Sequence, residues 1–154
     1  MSLTQFPAVE GFQHRTDVRV RFAETDAQGV VHHSNYLVWF ELARVEFLER
    51  FAGGYQRLRD QGIESLLIEA HVRFISPARF DDRLVVHSRC LDVRGARFRF
   101  EYAVERDGTL LAEGSTAHGT VDAATMRPTR TPQWLVDAIA GRVIPNHRMN
   151  RGAR

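Results

Sequence analysis

One stretch of this chain has the length and one-sided apolarity of a long helix, and it is loaded with aromatic rings. Tyr36, Leu37, Phe40, Ala43, Phe47, Leu48 and Phe51 recur at spacings of three and four, while Arg44, Glu46, Glu49 and Arg50 mostly take the positions between them. Gly53-Gly54 stops the pattern. Ser34 or Asn35 is the expected N-cap, since either side chain can accept a bond from a first-turn N–H. A helix with this aromatic load has to be packed deeply, and the rest of the chain supplies a sheet to pack it on.

The flanking segments alternate with period two. Val18, Val20 and Phe22 alternate with Arg19 and Arg21, Val72 and Phe74 alternate with His71 and Arg73, and a third run covers Leu84 to Leu91. Phe98, Phe100, Tyr102 and Val104 alternate with Arg97, Arg99 and Glu105; Asp107-Gly108 follows, then a further run from Leu110 to about Val121. Asp-Gly between alternating runs predicts a hairpin, because both turn positions tolerate positive φ. A short helix is predicted from Thr131-Pro132 to Gly141, burying Trp134, Leu135, Ala138 and Ile139. The fold class is α+β: strand, long helix, antiparallel strands, short C-terminal helix.

A chain of 154 residues is long enough for one core and reads as a single domain. The expected division is an N-terminal arm over 1–14, a folded domain over 15–141 and a tail over 142–154. No apolar run approaches the roughly 20 residues of a membrane span. The N-terminus lacks the form of a secretory signal, so a cytoplasmic protein is expected. The single Cys90 excludes an intrachain disulfide and a cysteine metal cluster.

All 21 basic residues are Arg, which excludes lysine Schiff-base chemistry and a Walker-type phosphate loop. Four of them, Arg142, Arg148, Arg151 and Arg154, lie in a tail without acids that reads as disordered; leaving them out gives 17 basic against 19 acidic residues. The basic balance therefore belongs to the tail, and no nucleic-acid partner is expected.

Chemistry is concentrated just before the long helix, in Arg21-Phe22-Ala23-Glu24-Thr25-Asp26-Ala27-Gln28-Gly29-Val30-Val31-His32-His33-Ser34-Asn35-Tyr36. A helix start presents unpaired N–H groups and the positive end of the macrodipole. A carbonyl oxygen placed there is polarised while a carboxylate on the approach loop faces its carbon, which is the geometry of acyl transfer. Asp26 can equally satisfy turn N–H groups. His32 and His33, as neighbours at a loop–helix junction, are expected to point apart, and no metal site is expected. Ser115 and Thr116 lack a nucleophile elbow, which argues against a serine hydrolase.

The run from Thr25 to Tyr36, followed by Phe40-Glu41-Leu42-Ala43-Arg44-Val45-Glu46-Phe47-Leu48, resembles the hot-dog-fold thioesterases of the 4-hydroxybenzoyl-CoA thioesterase and YbgC-like group. Pro77-Ala78-Arg79-Phe80-Asp81-Asp82 and the stretch from Asp107 to Glu113 are similar to the group's connecting segment and late hairpin. The resemblance covers about residues 15 to 136. It implies a long helix wrapped by an antiparallel sheet, a homodimer or homotetramer with sites at the subunit interface, and hydrolysis of an acyl-CoA thioester to a carboxylic acid and free CoA.

On this resemblance Asp26 matches the catalytic nucleophile or general base, and His33 the residue whose backbone N–H binds the thioester oxygen. His32 departs from the Tyr of many relatives. Gly29, Val30, His32, Asn35, Tyr36 and Ser76 are the expected substrate contacts, with Arg73 and Arg79 as candidate partners for the CoA phosphates. Glu41 and Glu46 are expected to be solvated helix acids, with Glu46 the alternative catalytic carboxylate because other hot-dog thioesterases use one on the helix. No cofactor is expected, because CoA is part of the substrate. The alternatives are an acyl-carrier-protein thioesterase and a noncatalytic acyl-thioester binding module. The acyl group is not specified: Phe40, Phe47 and Phe74 suit either a pocket or the core.

Overall fold

The structure, a computed structural model, describes residues 11–139; the 142–154 tail and most of the N-terminal arm lie outside the described residues. In chain order the elements are β1 (His14–Arg19), a 3-10 turn (Phe22–Glu24), α1 (Ser34–Ala52), α2 (Tyr55–Asp60), β2 (Ile63–Phe74), β3 (Arg83–Arg94), β4 (Arg97–Arg106), β5 (Thr109–Asp122) and α3 (Gln133–Ile139). The strands form one antiparallel sheet in the order β1-β3-β4-β5-β2. This sheet wraps α1, which is the hot-dog arrangement.

The predicted hairpin sets the register. Asp107 (φ 50°) and Gly108 (φ 78°) make the turn with the positive φ that the pair tolerates. Beyond it Phe98, Phe100, Tyr102 and Val104 face His118, Thr116, Gly114 and Ala112, and all four β4 side chains are buried in the core. Phe40 stacks on Tyr102 with ring centroids 4.2 Å apart, and Phe47 meets Phe100 edge to face at 5.1 Å. Such ring pairs contribute about 1 kcal/mol each beyond the area they bury.

α1 buries Tyr36, Trp39, Phe40, Ala43, Phe47, Leu48 and Ala52. Leu37, expected inside, is exposed together with Val38 and Leu42, and Trp39 takes its place, completing the i, i+3, i+4 row through Tyr36, Trp39, Phe40 and Ala43. Neither Ser34 nor Asn35 is the N-cap. His33 occupies that position without a side-chain cap bond, and the helix begins at Ser34. At the other end Gly53 adopts the left-handed conformation (φ 81°) that terminates helices.

Further departures lie in β1, β2, α2 and α3. β1 ends at Arg19, and Phe22 turns outward at 75% exposure to meet Phe80 edge to face, because the chain has already left the sheet. β2 starts eight residues before His71, at Ile63; its middle is an edge with Leu66, Leu67 and Ile68 exposed in succession and a bulge between Leu67 and Glu69, so no alternation announces it. The short helix α2 buries Leu58 and brings the Tyr55 hydroxyl to Arg44. In α3, Leu135, Ala138 and Ile139 are buried as expected, while half-buried Trp134 lies over Arg57 and donates to Gln61. The predicted end at Gly141 lies outside the described residues.

A polar chain runs through the core. Arg44 donates to the hydroxyls of Tyr55 and Tyr102, Tyr102 shares a 2.7 Å bond with Thr116 Oγ1, and Thr116 lies 2.8 Å from His118 Nε2. Burial, aided by the Arg44 charge, pushes the His118 imidazole down to about 3. A folded-state value below the unfolded one means that the unfolded chain binds the proton more readily. The stability this site contributes is therefore complete above about pH 6.5 and is lost as pH falls toward 3, at up to about 1.4 kcal/mol per pH unit. His118→Gln should flatten the fall by about that slope in urea titrations between pH 7 and 4.5; parallel wild-type and variant curves would contradict it.

Candidate active site

The site is built where two loops are laced together. After Val20 the chain turns at Phe22–Glu24 and makes an isolated bridge between Thr25 and Val31. Inside that bridge Asp26 N donates to Val30 O (2.9 Å) and Gly29 N to Asp26 O (3.0 Å). Gly29 sits at φ 78°, a conformation that favours glycine. The second loop follows β2: Ile75 N and Ser76 N both donate to Leu111 O, and Val31 N donates to Ala78 O at 2.8 Å.

Between the loops lies a cavity of about 310 Å³, lined by Asp26, Gln28, Val30, Val31, His33, Tyr36, Phe74, Ile75, Ser76 and Pro77. Asp26 and His33 thus share one cavity with three of the expected contacts, Val30, Tyr36 and Ser76. Asp26 Oδ1 accepts from Gln28 N at 2.8 Å, so it does hold its turn; among the described residues Oδ2 has no such partner and is available to a ligand. The backbone N–H of His33 likewise has no acceptor among the described residues, whereas those of Asn35 and Tyr36 are used by His32 O and His33 O. A free donor at a helix start can polarise a carbonyl, and a carboxylate lining the same cavity can attack its carbon or activate water. Burial raises the Tyr36 phenol above its ordinary value, which makes Tyr36 a neutral wall.

The other expected contacts lie outside the cavity lining. Gly29 shapes the Asp26 turn. Asn35 faces away and donates to Glu24 O (3.0 Å) and His32 O (3.1 Å). His32 Nδ1 is 2.8 Å from Ser34 Oγ, and the two histidine rings do not diverge as expected: their centroids are 4.1 Å apart and tilted by 32°, because the 33 backbone is already helical and carries both rings to one side. Among the described residues, no group of three or more His, Cys, Asp or Glu is placed to hold a metal.

The two candidate arginines separate. Arg73 pairs with Glu113 at 2.7 Å and lines a different depression of about 500 Å³ with Arg89, Arg99 and Glu101. Arg79 stays at the site, its backbone N–H held by Asp82 (2.8 Å) and its guanidinium 3.5 Å from Gly29 O. Glu46 lies elsewhere, clamping β1 to α1 by accepting from Thr16 (2.7 Å) beside His14 (3.2 Å). Phe40 and Phe47 are fully buried core, and of the three phenylalanines only Phe74 lines the cavity. Gln28, Val31, Ile75 and Pro77 also line the cavity, beyond the expected contacts. Gln28 and Val31 lie within the signature loop, and the other two flank Ser76.

Fold and site together define a class: an α+β protein whose one long helix, wrapped by a five-stranded antiparallel sheet, presents its start and a loop carboxylate to a small cavity. Residues 20–139 match the family described as the thioesterase-like superfamily. The chain belongs to that superfamily and is, by class, a thioester hydrolase. It is 32% identical over 123 residues to the acyl-CoA thioester hydrolase YbgC of Escherichia coli O6:H1, covering 79% of this chain and 92% of that protein. Among solved structures, a hypothetical protein from Thermus thermophilus superposes with a TM-score of 0.78 at 40% identity, covering 84% of this chain and 98% of that one. A 1,4-dihydroxy-2-naphthoyl-CoA thioesterase from Synechocystis gives 0.76 at 26% identity, covering 82% and 94%. Among the described residues no helix is long and apolar enough to cross a membrane.

Proposed function

We propose that this protein hydrolyses an acyl-CoA thioester to a carboxylic acid and free CoA, with Asp26 as nucleophile or general base and the His33 N–H as oxyanion donor. The observation that carries this reading is the shared cavity, lined by both Asp26, one of whose carboxylate oxygens has no partner among the described residues, and His33, whose backbone N–H has none either. The thioester oxygen sits at the helix start, where one preorganised donor contributes roughly 3–4 kcal/mol to the transition state. Arg79, beside Gly29 and without an acidic partner for its guanidinium among the described residues, is the cation that meets a CoA phosphate; Arg73 is committed to Glu113. The acyl-CoA named in the YbgC relative supports the carrier.

The exposed Leu66, Leu67 and Ile68 on edge strand β2, with Phe74 at its end, support a homodimer or tetramer in which a second copy covers that edge and closes the cavity. Sedimentation at micromolar concentration should show at least a dimer, and a fully active monomer would contradict a site closed by the partner. The carrier is tested by presenting one acyl group on CoA and on an acyl carrier protein. Higher kcat/KM on CoA is expected; a preference for the protein carrier would overturn the choice of CoA while leaving the Asp26 chemistry intact.

A further inference from the structure

Asp26 and His33 belong to different structural units, a loop and a helix start, and hydrolysis needs them in fixed relation. Glu24 joins the two units. It is 4% exposed, two residues before Asp26, and its side chain is used at both oxygens: Oε2 accepts from Trp39 Nε1 at 2.9 Å inside the core, and Oε1 accepts from Arg21 N at 2.8 Å. Its backbone oxygen accepts from His32 N (2.9 Å) and from the Asn35 side chain (3.0 Å), on either side of His33. One residue therefore ties the approach loop to the second turn of α1 by its carboxylate and to the first turn by its carbonyl.

From this juxtaposition we propose that Glu24, anchored by Trp39, is a positioning residue that sets the distance between the Asp26 carboxylate and the His33 N–H. It touches neither the cavity nor the substrate. The inference rests on the reading of Asp26 given above. An ion pair with the exposed Arg21 guanidinium, 3.5 Å away, does not explain the arrangement, because the buried oxygen points to the indole. A carboxylate suits the place since both of its oxygens accept. In Glu24→Gln the amide has one oxygen for two donors, so an N–H group is forced against either the indole or the Arg21 amide, and the loop shifts.

The test measures kcat, KM and thermal midpoint for Glu24→Gln, Asn35→Ala, Asp26→Asn and the Asp26→Asn/Glu24→Gln pair, with Glu46→Gln as a control that loosens a comparable strand–helix clamp remote from the cavity. Glu24→Gln should remain folded and lose about 10-fold or more in kcat with KM changed less than about 3-fold, as misplaced catalytic groups do. Asn35→Ala, which removes the other end of the tie without burying a mismatched amide, should lose kcat in the same sense, so the test survives if Glu24→Gln does not fold. In the Asp26→Asn background Glu24→Gln should cost less than about twofold more, because the group it positions is gone. Replacing Trp39 by Phe alongside Glu24→Gln removes the clashing donor and should recover part of the kcat.

Unchanged kcat in folded Glu24→Gln and Asn35→Ala, with Asp26→Asn inactive, would overturn this inference alone. An equal loss in the wild-type and Asp26→Asn backgrounds, or an equal loss in Glu46→Gln, would reduce Glu24 to a structural residue and overturn it too. Near-normal turnover in Asp26→Asn would overturn the reading of Asp26 and the inference with it.

Discussion

Asp26→Asn should lower kcat by at least about 100-fold, the scale of losing positioned acid–base or nucleophilic help, while leaving KM and the fold nearly unchanged. The geometry makes this a clean substitution. Asn keeps an oxygen in the place of Oδ1, which accepts from Gln28 N at 2.8 Å, so the turn holding Gly29 and Val30 is retained. What changes is the second oxygen, the one without a partner among the described residues, which becomes an NH2 that can neither attack a carbonyl nor take a proton from water. Steady-state kinetics together with a thermal midpoint separate the outcomes. Near-normal turnover would remove Asp26 from the chemistry, and a collapsed midpoint would make it a structural turn residue.

Gly114→Ala should destabilise the fold by about 3 kcal/mol, at the upper end of ordinary overpacking penalties. Gly114 lies between Val72 and Tyr102 in the sheet register, directly under Phe40. A Cβ there would lie 2.6 and 2.8 Å from Phe40 Cε2 and Cζ and would collide with the His71 carbonyl oxygen. The Phe40 ring is fully buried and stacked on Tyr102, and the carbonyl belongs to the β2 backbone, so neither neighbour yields cheaply. For a chain of this length the loss corresponds to a fall of roughly 10 °C in thermal midpoint, measured at matched protein concentration because an oligomer's midpoint depends on it. A shift within about 2 °C would mean that the sheet relaxes around the methyl group at little cost.

Where the sequence spoke plainly, each local signal had one structural solution. Asp107-Gly108 between two alternating runs fixed a hairpin, and with it the β4 face that packs on α1. Asp26, Val30, His33 and Tyr36 were legible as a unit because they lie within one short segment that enters a helix, so chain proximity became spatial proximity. Residues whose environment depends on distant partners were not legible in the same way. The middle of β2 carries no alternation: Leu66, Leu67 and Ile68 are exposed in succession beside a bulge, and among the described residues no strand pairs with its outer side. Arg73 and Arg79 both flank the segment from Ile75 to Ala78 in sequence, yet successive strand residues face opposite ways: once Phe74 lines the cavity, Arg73 must lie on the other face, opposite Glu113. Glu24 reads locally as an ordinary polar residue before a turn. Its value comes from Trp39, 15 positions away, and an indole at that position looks like one more core ring.

The decisive measurement is thiol release from intact acyl-CoAs spanning short-chain, long-chain and aromatic acyl groups, followed in parallel for the wild-type protein and Asp26→Asn. The wild-type protein should release free CoA catalytically from at least one of these classes, with release by Asp26→Asn reduced at least about 100-fold on the same substrate. Acyl-CoA binding without release in any class, or release that Asp26→Asn leaves undiminished, would contradict thioester hydrolysis at Asp26.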